Sequence, residues 1–395
     1  MQPSENTLLE IADLLRQSPA FRLSQQTHGR IEGFQSSFLA WLAEEYPEAV
    51  ALWLRECLEI FTETIVRVRQ ESSGDYVLLF LDDEKTGHVV AVKHKIDTEG
   101  GPFSPSLTDI TKETRETYGD RAQFLLFSLG DPSSMLPKHH PWTVCRYDYY
   151  AETLQTLRTR RHRHSDYYHA ALLSDYVFTL RQYSRIHNLV AAIGNDEPLL
   201  GSIQKFLPLR EIGLEWYAVR YRYESITDAI SKRLETKPEI NSSLSFFRRG
   251  DVLGDIAIHW GSWSPVTIEF GVSILVHTDD GKKSLTLNVD ICDNQFCLCA
   301  GIGRDDAKLK QFAHTLRKEN RWFTFQETPE IQALGHLWGE DSQTQDFCYT
   351  PSETFVYCYK SFAETVSANE IINAIVLFIQ YAQKSFVEGK FKRKG

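Results

Sequence analysis

The chain has 395 residues, 42% hydrophobic, 12% aromatic and 24% charged, which excludes a disordered or collagen-like chain. At roughly 100–200 residues per domain, that length predicts two domains. A formal net charge of -10 and a pI near 5.8 exclude a general polyanion binder, so any nucleic-acid contact needs a local basic patch.

The region up to about Thr64 reads as helical. Leu8, Leu9, Ile11, Ala12, Leu14 and Leu15 form one apolar stripe, and Phe38, Leu39, Trp41, Leu42, Val50, Trp53 and Leu54 a second, interrupted at Pro47. This region is acidic, with ten Asp/Glu against four Arg/Lys. Strands are predicted over Thr64–Gln70, Asp75–Leu81 and His88–Ile96, the last two joined by the turn Asp82–Gly87. A polar helix follows over Leu107–Tyr118. Arg121–Leu129 is a fourth strand, whose apolar run suggests burial on both faces. A short strand around Val144 leads into a long helical stretch that stops at Gly194-Asn195-Asp196 before Pro198.

The pattern then changes. A helical piece near Glu224–Leu234 precedes a meander of strands over Thr267–His277, Ser284–Ile291 and Phe296–Ile302. A helix over about Asp305–Glu319, strands over Trp322–Gln326 and Phe355–Tyr359, and a final helix opening at Ser367-Ala368-Asn369-Glu370 complete the chain. That opening is a capping-box pattern. Strands followed by a packing helix predict an α+β second domain, with the boundary between Gly194 and Pro208. The expected domains are 1–200 and 201–395.

Seven cysteines without a Cys-x-x-Cys argue against a disulfide scaffold and for a reducing compartment. The N-terminus has neither the basic start nor the apolar core of a signal peptide. No run reaches the ~20 apolar residues of a membrane span. These features predict a cytoplasmic protein with no membrane partner. Walker loops, dinucleotide glycine fingerprints, HExxH and GxSxG are absent. Cys297 and Cys299 share a strand face near Cys292, and without a second ligand pair they read as buried thiols rather than a zinc site.

The first domain runs helix, three strands, helix, strand, helix. Its helix Glu32-Gly33-Phe34-Gln35-Ser36-Ser37-Phe38-Leu39-Ala40-Trp41-Leu42 is similar to the pattern E-x-x-H-S-x-F-L-A-W-L, with Gln35 in place of the histidine. Gly74–Phe80 stands where that pattern continues with G-R-I-D and a hydrophobic run. Val92-Lys93-His94-Lys95-Ile96 stands in place of a strand ending E-N-K-I. Thr114–Tyr118 and Trp142–Leu157 extend the likeness. The stretch Glu32–Leu157 thus resembles a bacterial branch of the PD-(D/E)XK nuclease superfamily. The resemblance implies an α/β restriction-endonuclease-like core, followed here by an α+β domain with an antiparallel β-meander. It also implies Mg²⁺-dependent phosphodiester hydrolysis, in which carboxylates hold the metal and a lysine assists the attacking water.

Lys95 takes the lysine position. Lys93, its same-face neighbour, stands where a carboxylate is expected, and Val77 stands where the aspartate is expected, so the family's metal site is broken. A displaced site would use Glu32, Asp75 and Asp97 as metal ligands, with Glu32, Asp75 and Lys95 as the catalytic set. The plainer reading, favoured for both, makes Asp75 a turn residue and Asp97 a strand-end cap.

The same substitutions suit binding without cleavage. Lys93 and His94 make a basic strand end. Arg158, Arg160, Arg161 and Arg163 make a stronger basic run beside Tyr149, Tyr150, Tyr167 and Tyr168, where arginines meet phosphates and tyrosines stack. A solvated helix face is the plain alternative. Three readings stay open. One is a catalytically degenerate protein that binds DNA or RNA, or scaffolds a larger defence-type assembly. The second is a Mg²⁺ nuclease with rearranged ligands. The third is a structural or homo-oligomeric role.

Overall fold

The computed structural model describes residues 5–26, 31–59, 65–71, 76–81, 87–95, 107–130, 140–160, 167–236, 244–246, 256–264, 267–277, 284–292, 294–301, 325, 332–338, 344–349 and 355–387. The chain divides into two compact units. The first comprises Met1–Val190 with Pro208–Ala218, and the second Ala191–Leu207 with Val219–Gly395. The chain changes unit more than once, where a single boundary was expected.

The first unit opens with four helices: α1 (Glu5–Gln17), α2 (Pro19–Gln26), α3 (Ile31–Glu45) and α4 (Pro47–Leu58). On α1, Leu8, Ile11, Ala12 and Leu15 are fully buried, which is the i, i+3, i+4, i+7 stripe of an amphipathic helix. Pro47 starts α4, where its missing N–H is not needed, and Glu59 ends it in the left-handed region at φ 55°.

Five strands follow: β1 (Ile65–Gln70), β2 (Tyr76–Leu81), β3 (Val89–Lys95), β4 (Ala122–Ser128) and β5 (Trp142–Arg146). They form one mixed sheet in the order β1-β2-β3-β4-β5. β2 pairs antiparallel with both β1 and β3, and β3, β4 and β5 are parallel. Helix α5 (Leu107–Tyr118) makes the crossover between β3 and β4 that a parallel pair requires. Helices α6 (Tyr147–Arg160) and α7 (Tyr167–Ala191) follow β5.

The sheet has two dry faces. Tyr76, Leu78, Phe80, Val89, Ala91, Phe124, Leu126 and Trp142 share one core with Ile110 of α5. On the opposite face Phe127 lies under Trp53 of α4 and Tyr150 of α6, with ring centroids 5.4 and 4.6 Å away. This explains the unbroken apolar reading of β2, all of which is buried. β1 is the edge strand and exposes Val66, Arg67 and Arg69.

In the second unit come α8 (Leu199–Gln204), α9 (Glu215–Glu235, divided between the units) and a separate seven-stranded sheet. Its strands are β6 (Leu244–Phe246), β7 (Ile256–Ser264), β8 (Thr267–His277), β9 (Ser284–Cys292), β10 (Gln295–Gly301), β11 (Thr344–Tyr349) and β12 (Phe355–Ser361). Their order is β11-β12-β10-β9-β8-β7-β6. β7 to β10 are a continuous antiparallel meander. Sequence reading missed β6, β7 and β11. The helix expected over Asp305–Glu319 lies outside the described residues, as does the Trp322–Gln326 strand apart from Phe325, which is a bend.

Helix α10 (Ala368–Val387) packs Phe378 against Phe296 of β10, with centroids 5.1 Å apart. Its expected capping box is formed. Glu370 Oε2 accepts from the Ser367 backbone N–H at 2.8 Å, and Ser367 Oγ accepts from the Glu370 N–H at 3.3 Å. Gly271 of β8 has a packing reason to be glycine, since a Cβ there would stand 2.2 Å from the Val289 carbonyl. Among the described residues, no helix is long and apolar enough to cross a membrane.

Candidate functional site

The site begins with strand parity. Directly opposed residues of an antiparallel pair share a face. Tyr76 is opposite Lys93, and Val77 is opposite Val92. Val77 therefore lies on the face away from Lys93 and Lys95, and the expectation that it marks their missing aspartate is corrected. The residue facing Lys93 is Tyr76, whose phenol is pushed up to about 12 by burial and then by the charges of Glu71 and Glu113. It is a neutral group at physiological pH.

Lys93 and His94 were expected to contact nucleic acid from a basic strand end. Instead Lys93 is 5% exposed and His94 is fully buried. The strand end is roofed on both faces, so neither side chain presents itself to a nucleic acid. Lys95 is half-buried at the C-terminus of β3.

His94 points into the face opposite Lys93. Its ring stacks on Phe127 at 4.4 Å and 3°, and its Nδ1 is 2.8 Å from the Tyr147 hydroxyl. Burial, then the neighbouring Lys93 charge, pushes the imidazole down to about 3, so it is neutral at physiological pH. Burial foremost, with a contribution from Glu32, drives the Tyr147 phenol well above its ordinary value. Glu32, at 9% exposure on α3, thus belongs to the His94–Tyr147 neighbourhood, whereas Lys95 lies on the other face of β3.

The neighbourhood continues as a buried tyrosine cluster. Tyr150 lies 6.3 Å from Tyr176, and the Tyr176 hydroxyl donates to Gln35 Oε1. Gln35, which stands where the pattern E-x-x-H-S-x-F-L-A-W-L has its histidine, ties α3 to α7. Sequence reading missed this cluster. The spacings 147/150 on α6 and 176/183 on α7 are the signal that could have found it, because i, i+3 and i, i+7 place each pair on one helix face.

The parallel strands end in a polar row. Lys95, Ser128 and Arg146 are register partners across β3, β4 and β5. The Arg146 guanidinium is held by Asp148, with Nη2 2.6 Å from Oδ2 and Nε 3.2 Å from Oδ1. Gly130, just past β4, lies against His187 of α7, where a Cβ would stand 2.4 Å from Cε1. His187 Nδ1 is 2.7 Å from the Tyr217 hydroxyl. Burial first, then Arg146, lowers this histidine to about 4. The row sits at the carboxyl ends of the parallel strands, where open α/β sheets place their ligands.

Mg²⁺ is the ion that the resemblance implies. That ion needs anionic oxygen ligands. On the Lys95 face stand the cation Lys93 and the neutral phenol Tyr76, with the Glu71 and Glu113 carboxylates acting on that phenol, and Glu32 is the only one of the expected ligands among the described residues. Asp75 and Asp97 lie outside them. No group of three or more His, Cys, Asp or Glu side chains among the described residues could hold a metal ion. The described residues do not fit the metal.

Of the basic run, Arg158 and Arg160 lie on the last turn of α6 by backbone, and Arg161 and Arg163 fall outside the described residues. Its aromatic flank is in place, with Tyr167 88% and Tyr168 68% exposed at the start of α7. In the second unit, Cys299 is a buried thiol as expected, and donates to Asp290 Oδ2 at 3.1 Å.

Compared with family models, curated proteins and solved structures, the chain matches none of them.

Proposed function

We propose that the first unit is a PD-(D/E)XK-like domain that has lost its metal site and binds nucleic acid, DNA or RNA. We place it in the cytoplasm as a component of a larger bacterial defence-type or DNA-processing assembly. The restriction-endonuclease-like reading is supported by element order: a helix, three antiparallel strands, a crossover helix and a parallel strand in one mixed sheet. The observation that carries the loss of catalysis is Lys93, a buried cation facing Tyr76 where hydrolysis needs a carboxylate. A positive charge at that point repels Mg²⁺. Binding is assigned to Arg158, Arg160, Arg161 and Arg163 with the exposed Tyr167 and Tyr168. This combination suits phosphate contacts and base stacking.

The test is anisotropy with labelled DNA and RNA over a salt series. The expected result is affinity that falls steeply with salt and disappears when the four arginines are replaced by alanine. Absence of affinity at low salt would remove the binding reading and leave a structural role.

A further inference from the structure

Two thiols meet on the α4 side of the first sheet. Cys57 lies in the last turn of α4, four residues beyond Trp53, so both side chains leave the same helix face. Trp53 stacks on Phe127, and Phe127 is the register partner of Cys145 across β4 and β5. The helix face carrying Cys57 is thereby brought onto the strand position of Cys145, whose thiol donates to the Arg146 carbonyl at 3.7 Å. Both are free; Cys57 is half-buried and Cys145 buried.

The two sulfurs are unequal. The neighbouring Cys145 side chain holds the Cys57 thiol below its ordinary value. The Cys57 side chain, then burial, drives Cys145 up. An accessible low-pKa thiol beside a buried partner is the arrangement of an attacking and a resolving cysteine. The remaining cysteines, Cys292, Cys297, Cys299, Cys348 and Cys358, all belong to the second unit.

We propose that Cys57 and Cys145 form a peroxide-sensitive dithiol, in which Cys57 attacks and Cys145 resolves. The Cys57 sulfur attacks one oxygen of hydrogen peroxide. The O–O bond breaks, the departing hydroxide takes a proton to become water, and Cys57 becomes a sulfenic acid. The Cys145 sulfur then displaces hydroxide from the sulfenic sulfur. Its own proton leaves with that hydroxide as a second water, and the S–S bond forms. The dithiol supplies both electrons that reduce the peroxide. The product staples α4 to β5 directly beside Arg146 and Tyr147. This inference is independent of the nucleic-acid reading.

The experiment treats the reduced full-length protein with a few equivalents of hydrogen peroxide, blocks remaining thiols, and maps peptides without reduction. The expected result is a Cys57–Cys145 linked peptide, with an intact mass lower by about 2 Da that dithiothreitol restores. Cys57→Ser abolishes the product. Cys145→Ser stops at a Cys57 sulfenic acid that dimedone captures. If either variant fails to fold, the wild-type map decides alone. Recovery of both thiols unmodified, oxidation of Cys57 without linkage to Cys145, or linkage of either to a second-unit cysteine overturns the proposal.

Discussion

Lys93 of β3 is the register partner of Tyr76 of β2, and both are buried, at 5% and 7% exposure. The pairing puts a cation and a neutral phenol side by side on the face that also carries Lys95. It separates Lys93 from solvent.

Lys93 therefore contributes nothing to a nucleic-acid surface. Lys93→Met is expected to leave nucleic-acid affinity and its salt dependence unchanged. Anisotropy at several salt concentrations checks this. A fall in the salt slope of about one unit would mean that Lys93 reaches a phosphate.

The exposed tyrosines behave differently. Tyr167→Ala and Tyr168→Ala are each expected to weaken binding by roughly 1–3 kcal/mol if the ring stacks on a base. Exposures of 88% and 68% mean that neither change disturbs the core. Thermal unfolding should be unchanged while the dissociation constant rises.

Acid should destabilise the first unit. His94 and His187 are depressed to about 3 and about 4 in the folded chain, both chiefly by burial. Their ordinary value is about 6.5, so between these limits the unfolded chain binds more protons. Their stabilisation is present above pH 6.5 and is lost as pH falls toward 4. Near pH 5 each histidine accounts for on the order of 2 kcal/mol. Urea midpoints from pH 7.5 to 5 should fall, and His94→Gln should fall less steeply. A flat wild-type profile would contradict the burial of both rings.

Phe127 holds the centre of the helix-covered face, touching His94, Trp53, Tyr147 and Tyr150. Phe127→Ala is expected to cost about 3–5 kcal/mol in urea unfolding. A cost below about 1 kcal/mol would mean that this aromatic core is not packed as described.

Much of the fold was legible because hydrophobic period and capping chemistry are local. The α1 stripe, the apolar β2 run and the Ser367–Glu370 box are read directly from neighbours in the chain. The strands β7 and β11 were not, since IAIHWGSWS and TQDFCY mix small and polar residues whose strand state depends on the neighbouring strand. The candidate site was less legible. The positions of Lys93 and Lys95 on one face follow from strand period alone. Which β2 residue faces them depends on the pairing register, and the sequence placed Val77 where the register places Tyr76. The His94–Tyr147 contact joins residues 53 positions apart, so no local pattern announces it.

The most direct measurement is a cleavage assay with Mg²⁺ and Mn²⁺ on the same DNA and RNA substrates used for binding. The account predicts salt-dependent binding with no cleavage above an EDTA control. Metal-dependent cleavage that disappears both in EDTA and in Lys95→Ala would contradict it, and would establish a metal site that Lys93 and Tyr76 do not prevent.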